Sequence, residues 1–180
     1  MFSENPSGAE NQQETARPSV LLDPSWVAGF VDGEGCFSVS VHKQPFMHRH
    51  RGWQIQAAFY VYQHRDHGDV LDALRSFFEC GTVRPKGPNS AVLTYSVTRL
   101  QDLRDVIVPF FETTRLRVKD QDSRIFSVVV EAMSRREHLT DEGFSRVVRL
   151  AYGMNANGKQ RTRTLEEVLA GSSETTRQAH

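Results

Sequence analysis

The hydrophobic pattern of the chain switches between a helical and a strand period, and each switch marks an element. The apolar run Trp26-Val27-Ala28-Gly29-Phe30-Val31 stands directly behind Asp23 and Pro24. Aspartate is a good N-cap and proline suits the first helical position, so a helix is predicted to open there. Asp32-Gly33-Glu34-Gly35 follows, a Gly-acid-Gly corner at which the helix should end. From Cys36 the period becomes two, with Phe37, Val39 and Val41 against Ser38, Ser40 and His42. After a basic loop containing Pro45, the alternation resumes: Trp53, Ile55, Ala57, Phe59 and Val61 against Gln54, Gln56, Ala58, Tyr60 and Tyr62. Both segments read as strands with one face on a core.

Asp66-His67-Gly68-Asp69 opens a second helix, with Val70, Leu71, Leu74, Phe77 and Phe78 on its apolar side and Gly81 as its expected stop. Thr82 to Lys86 reads as a short strand, Gly87-Pro88-Asn89 as a turn, and Val92 to Val97 as a partner strand whose two faces are both mixed. Thr98 and Gln101 have capping-box spacing for a helix bearing Leu100, Leu103 and Ile107, which Pro109 is expected to end. Apolar positions from Ile125 to Met133 predict a further helix. Thr140 caps another over 141–152, and Thr164 with Glu167 forms a last capping box. The order αββαββα, followed by more helices, implies an α+β fold: a four-stranded antiparallel sheet with helices on one face.

Residues 1–20 are polar and rich in Ser, Asn, Gln, Glu and Pro, and read as a disordered tail. One domain is expected over 21–170 and a second tail over 171–180. The two cysteines form no CxxC pair and cannot build a disulfide framework. No stretch has the length of a membrane span, and the N-terminus shows no signal pattern. An intracellular setting is expected, in cytoplasm, nucleoid or an organelle matrix, with neither secretion nor membrane association.

Charge refines the picture through its distribution, since the net formal charge is zero. Between Val39 and Arg65 there is no acid, while Lys43, Arg49, Arg51, Arg65 and four histidines fall there. Arg84 and Lys86 follow, then Lys159, Arg161 and Arg163. A locally basic surface on a neutral protein is an electrostatic footprint for phosphate. The second face of the first two strands is polar yet uncharged, which is unusual for a plain solvent face. Ser38, Ser40, Gln54 and Gln56 suit hydrogen bonding to base edges, with His42, Gln44 and Tyr60 beside them.

One further pattern lies on the first helix. Ser25, Gly29 and Gly33 recur every fourth residue and line one face, which lets another backbone approach closely. The stretch Val27 to Gly35, reading VAGFVDGEG, resembles the LAGLIDADG motif of the homing endonucleases, with Val, Phe, Gly and Glu at the departing positions. The resemblance extends more weakly from about Trp26 to about Val168. It implies the homing-endonuclease fold, whose open sheet face is a saddle over double-stranded DNA. The last acid of the family's motif binds the catalytic divalent metal, so Glu34 is the expected ligand of Mg²⁺, with the Gly33 carbonyl as a possible second one. Gln63 matches a position that orders active-site water, and Lys119 one near the scissile phosphate. The motif occurs once, and the resemblance then implies a homodimer joined through Ser25, Ala28, Gly29, Asp32 and Gly33. Asp32 reads as a structural carboxylate more readily than as a metal ligand.

These readings converge on a site-specific, metal-dependent endonuclease cutting a long, nearly palindromic DNA site. Two alternatives stand beside it. One is a maturase that binds its own intron RNA, and the other is a DNA-binding regulator without catalysis on the same scaffold. No HExxH, Ser/His/Asp or glycine-rich phosphate-loop signature points elsewhere.

Overall fold

The computed structural model describes residues 22–44, 52–154 and 163–173. Helix α1 runs Pro24–Glu34, capped as its sequence requires: the Asp23 carboxylate accepts the Ser25 N–H at 2.8 Å and the Trp26 N–H at 3.2 Å. The chain passes without a loop into β1 (Gly35–Lys43), which pairs antiparallel with β2 (Trp53–His64). Helix α2 (Asp69–Phe78) leads to β3 (Thr82–Pro85) and β4 (Val92–Val97). The sheet is antiparallel throughout, in the order β1-β2-β4-β3. Helices α3 (Leu100–Asp102), α4 (Val108–Thr113), α5 (Asp120–Ser134), α6 (Asp141–Gly153) and α7 (Leu165–Ser173) complete the chain. The α+β order and the four-stranded sheet are those expected.

The register explains both faces. Phe37 pairs with Phe59 and Val39 with Ala57, while Phe59 pairs with Val97 and Val61 with Tyr95, and all of these are buried under the helices. An aromatic cluster fills the centre. Phe37 lies 5.3 Å from Phe59, 5.2 Å from Phe111 and 5.4 Å from Phe126, joining β1 and β2 to α4 and α5. Such ring pairs stabilise beyond their buried area. The faces of β4, unreadable from its sequence, resolve by pairing. Leu93, Tyr95 and Val97 share the inner face, because Tyr95 opposes Val61, while Thr94 and Ser96 join Tyr62 and Tyr60 outside.

Four local expectations need correction. Pro109 does not end its helix. A π-turn over Leu103–Ile107 precedes it, in which the Val108 N–H reaches back to Leu103 O, so the ring falls near the start of α4 and costs no interior bond. The Thr98–Gln101 box does not form: Arg99 is the N-cap, and its guanidinium donates to Gln101 Oε1 at 2.9 Å. Helix α2 stops at Phe78 because Glu79 takes a left-handed conformation at φ 53°, and Gly81 makes a second left-handed turn at φ 79° before β3. Helix α7 continues to Ser173, into the segment read as tail, with Ser172 buried. The Thr164–Glu167 box is reciprocal, with both side-chain-to-N–H bonds at 3.2 Å.

The glycine corner has a cause other than the one expected. Gly35 has φ −83° and ψ 162°, an ordinary extended conformation. What it requires is space: a Cβ there would lie 2.5 Å from Val31 Cγ1 and 2.7 Å from Val31 O. At Gly33 the same atom would meet nothing within 4 Å. Gly35→Ala should therefore cost about 1–3 kcal/mol through overpacking, with Gly33→Ala far milder. Urea unfolding of the two variants measures the difference.

Candidate functional site

Helix α1 has two faces. Val27 and Val31 are fully buried, and Ala28 is only 6% exposed. Ser25, Gly29 and Gly33 lie on the opposite, open face, where a Cβ on either glycine would touch nothing. Trp26, 44% exposed, stacks on Phe30 at 5.1 Å along its margin. An open stripe of small residues flanked by exposed Trp26 and half-buried Phe30 fits a second helix at close range. Ala28 does not belong to that face: it packs into the chain's own core. Asp32 is also withdrawn from it, its carboxylate being engaged within the chain.

That engagement is dense. Asp32 Oδ2 accepts the Arg117 N–H at 2.6 Å, Oδ1 accepts the Lys119 N–H at 3.0 Å, and the Val118 N–H reaches both oxygens at 3.2 Å. Partial burial pushes the Asp32 pKa up, but these three backbone donors outweigh it and hold the carboxyl below its ordinary value. The residue is a structural carboxylate, as its place on the helix suggested. Val118 consequently stays in place although 81% exposed, while Leu116 anchors the same segment in the core.

Lys119 is thereby brought to the end of α1. Its ammonium donates to the carbonyls of Asp32 and, at 3.2 Å, of Gly33. A cation is favoured at a helix C-terminus, where carbonyl dipoles converge. Glu34 is the last helical residue, exposed, and among the described residues its carboxylate has no hydrogen-bond or ion-pair partner. Gln63 lies two residues beyond the Gly35–Val61 pair, at this same end of the sheet and on its helix side. Its Oε1 accepts the His64 N–H at 2.8 Å. Lys119, Gly33 and Glu34 thus form one constellation, with Gln63 at its edge.

The donors at this corner are hard oxygens, a carboxylate and helix-end carbonyls, which suit Mg²⁺ or Ca²⁺. One chain supplies few of them: no cluster of three or more His, Cys, Asp or Glu side chains able to hold a metal occurs among the described residues. The Gly33 carbonyl already accepts from Lys119, so one of its lone pairs remains.

The open face of the sheet carries the remaining candidates. Ser40 opposes Gln56 and His42 opposes Gln54, so these four, with Ser38 and Tyr60, share it, and Gln44 follows just past β1. Arg84 opposes Thr94 on the same face, and Lys86 lies one step beyond β3. Tyr62, Thr82, Thr94 and Ser96 share this face too: strand parity already puts Tyr62 with Tyr60 and Thr82 with Arg84, while Thr94 and Ser96 are placed only by pairing. Tyr60 and Tyr62 lie 6.1 Å apart at 29°, and Lys86 Nζ is 4.9 Å from the Tyr62 ring centre. Burial pushes both phenol pKa values up, so the hydroxyls stay protonated donors. Among the described strand positions this face has no acid. Ala58 is on it but buried. Arg163 is exposed, and its carbonyl accepts the Tyr152 hydroxyl at 3.0 Å. Lys159 and Arg161 lie outside the described residues.

The two neighbouring acids should separate cleanly in stability. Asp32→Ala abandons three N–H donors and should cost on the order of 2 kcal/mol, whereas Glu34→Gln breaks no bond among the described residues and should leave the denaturation midpoint unchanged. Thermal unfolding monitored by circular dichroism provides the comparison.

Similarity to known proteins agrees with this geometry. The family model described as LAGLIDADG endonuclease matches residues 27–123, from the motif helix to the start of α5. Homing endonuclease I-ApeII of Aeropyrum pernix is 30% identical over 148 residues, 80% of this chain and 86% of that protein. A probable intron-encoded endonuclease of Neurospora crassa is 29% identical over 136 residues, of which this chain spans only 29% of the relative's length. Among solved structures, the homing endonuclease I-TnaI superposes with a TM-score of 0.72 at 37% identity, covering 83% of this chain and 97% of that one. Meganuclease I-SmaMI, solved bound to uncleavable DNA, gives a TM-score of 0.70 at 30% identity over 76% of this chain and 46% of its own. The chain belongs to the LAGLIDADG endonuclease family.

Proposed function

We propose that this protein is a site-specific homing endonuclease that cuts double-stranded DNA as a homodimer with Mg²⁺. The observation that carries the reading is the exposed Glu34 carboxylate, without a hydrogen-bond or ion-pair partner among the described residues, at the end of a helix whose adjacent face is open and made of small residues. A DNA-binding regulator needs no such carboxylate, and neither does an RNA-splicing maturase, so cleavage is favoured over both alternatives. I-SmaMI has been solved with cleaved DNA and with uncleaved target in the presence of calcium ions, which is in keeping with a divalent cation in such a site.

Glu34 would hold the cation together with carbonyl oxygen from Gly33, and a second chain would contribute its own pair. When bound, a divalent cation polarises the phosphate and lowers the pKa of water. The chain's own groups do the rest. Lys119 presents a positive charge beside Glu34, suited to the phosphate oxygens on which negative charge accumulates during hydrolysis. Gln63 offers an amide able to orient a water at the same corner.

Recognition follows from the open face. Strand β2, of 12 residues, is about 40 Å long at ~3.3 Å per residue, a span on the order of ten base pairs. Ser38, Ser40, Gln54, Gln56 and Tyr60 carry no charge and face outward, so they suit base edges, with His42 and Gln44 at the strand's far end. Arg84, Lys86 and Arg163 suit phosphates, as do Lys159 and Arg161 by composition. Phosphate contacts position a protein, and base contacts specify. Two copies joined through Ser25, Gly29 and Gly33 would read a nearly palindromic site.

Glu34→Gln should abolish Mg²⁺-dependent cleavage while DNA affinity changes less than about threefold. Normal cleavage by this variant on a duplex selected by wild-type protein from a randomised library would remove the catalytic assignment. Gly29→Leu should separate the helices and give a monomer or an insoluble chain, and sedimentation of an intact dimer counts against the interface. Gln56→Ala should relax base preference at one or two positions per half-site, at about 1–3 kcal/mol for each good pair lost. Arg84→Ala should weaken all sequences alike and lower the salt slope by roughly one. Library binding at two salt concentrations distinguishes them.

A further inference from the structure

Lysine is a poor residue to place accurately. Its stem has four rotatable carbons, and fixing it sacrifices much rotamer entropy. At Lys119 the stem is gripped at both ends by one residue. The Asp32 carboxylate takes the N–H groups of Arg117, Val118 and Lys119, which fixes where the lysine side chain departs from the backbone. The Asp32 carbonyl, with that of Gly33, takes the ammonium. The next two residues along the helix are Gly33 and Glu34, so the same grip fixes the ammonium relative to Glu34.

We propose that Asp32 is the positioning residue of Lys119, setting its ammonium against the end of the motif helix beside Glu34. The inference rests on the role given to Lys119 above. It assigns Asp32 neither a metal nor a substrate contact. Nor does it need Asp32 in a dimer interface, from which its carboxylate is withdrawn.

Asp32→Asn is the informative change. The amide keeps the size of the carboxylate but replaces one accepting oxygen by an NH₂ group. Whichever oxygen is replaced, the new donor faces a backbone N–H, since both oxygens are occupied by amides. The grip on 117–119 should open, and with it the lysine.

Two measurements test this in the full chain. The first uses no DNA: limited acetylation with acetic anhydride, read by mass spectrometry. Lys119 should be modified at least fivefold faster in Asp32→Asn than in wild type, while Lys43 and Lys86, distant from the grip, keep their rates. Equal Lys119 rates in the two proteins overturn the proposal. The second is a double-mutant cycle in cleavage of a duplex selected from a randomised library by the wild-type protein. Lys119→Met and Asp32→Asn should each slow cleavage at least tenfold with little change in DNA affinity, and the double variant should be no slower than Lys119→Met alone. Multiplying losses would mean that Asp32 acts on something other than the lysine, and would overturn the proposal. If Lys119→Met cleaves at the wild-type rate, the role given to Lys119 fails, and the purpose of the grip with it. Should Asp32→Asn not fold, amide exchange in the wild type decides. The Arg117 and Val118 N–H groups should exchange slowly despite the exposure of both residues, and fast exchange there overturns the grip.

Discussion

The two-sided packing of α1 is the constraint on which the other features depend. One side is closed by Val27 and Val31, both without solvent exposure, and it fixes the helix against the sheet. The other is left bare by Ser25, Gly29 and Gly33. Because β1 begins at Gly35 with no intervening loop, the helix end and the first strand of the sheet form one rigid corner. That continuity requires a residue without Cβ at 35, since Val31 occupies the space. Glu34 sits on this corner, so its carboxylate owes its place to core packing and, among the described residues, not to a bond of its own.

Charge is partitioned by the same corner. No acid of the described residues lies on a strand, and many stand in ion pairs such as Arg124–Asp120 and Arg135–Glu131 along α5. Exposed pairs of this kind contribute little to stability. Their consequence is that neutralising charge is spent away from the sheet. The open face keeps serines, glutamines, tyrosines, Arg84 and Lys86, a surface that attracts phosphate while leaving its centre uncharged. A protein with no net charge can thus still present one face to a polyanion.

Most of this was legible wherever the sequence carries a strong period. The N-cap at Asp23, the parity of β1 and β2 and the box at Thr164 and Glu167 all follow from local chemistry that tertiary structure had no reason to override. The failures share a different origin. Pro109 was misread because a π-turn, invisible in composition, makes room for its ring. The faces of β4 depend on which strand lies beside it, and β2, not β3 alone, settles that. Ala28 looks like a member of the small-residue stripe, but one step of 100° turns it inward. Tyr62 and Thr94 become neighbours only after two distant segments pair.

Lys119 was singled out in the sequence by the family resemblance alone, and its setting comes from the structure. Nothing in Arg117-Val118-Lys119 distinguishes it from any surface basic segment. Its meaning comes from an aspartate far away in sequence, whose carboxylate and carbonyl are both turned to it. The sixth residue of the motif holds a lysine, while the eighth, among the described residues, leaves its carboxylate without a partner, so two acids of the same charge stand in different settings. On the homodimer reading the consequence is geometric. The bare stripe ends at Gly33, one residue before Glu34, so the separation of two helices packed there also sets the separation of two carboxylates. Small residues on that stripe are then a condition of the chemistry as much as of association. A helix pair held apart by larger side chains would carry both acids, both lysines and an intact sheet, yet the carboxylates would stand too far apart to share a cation between them.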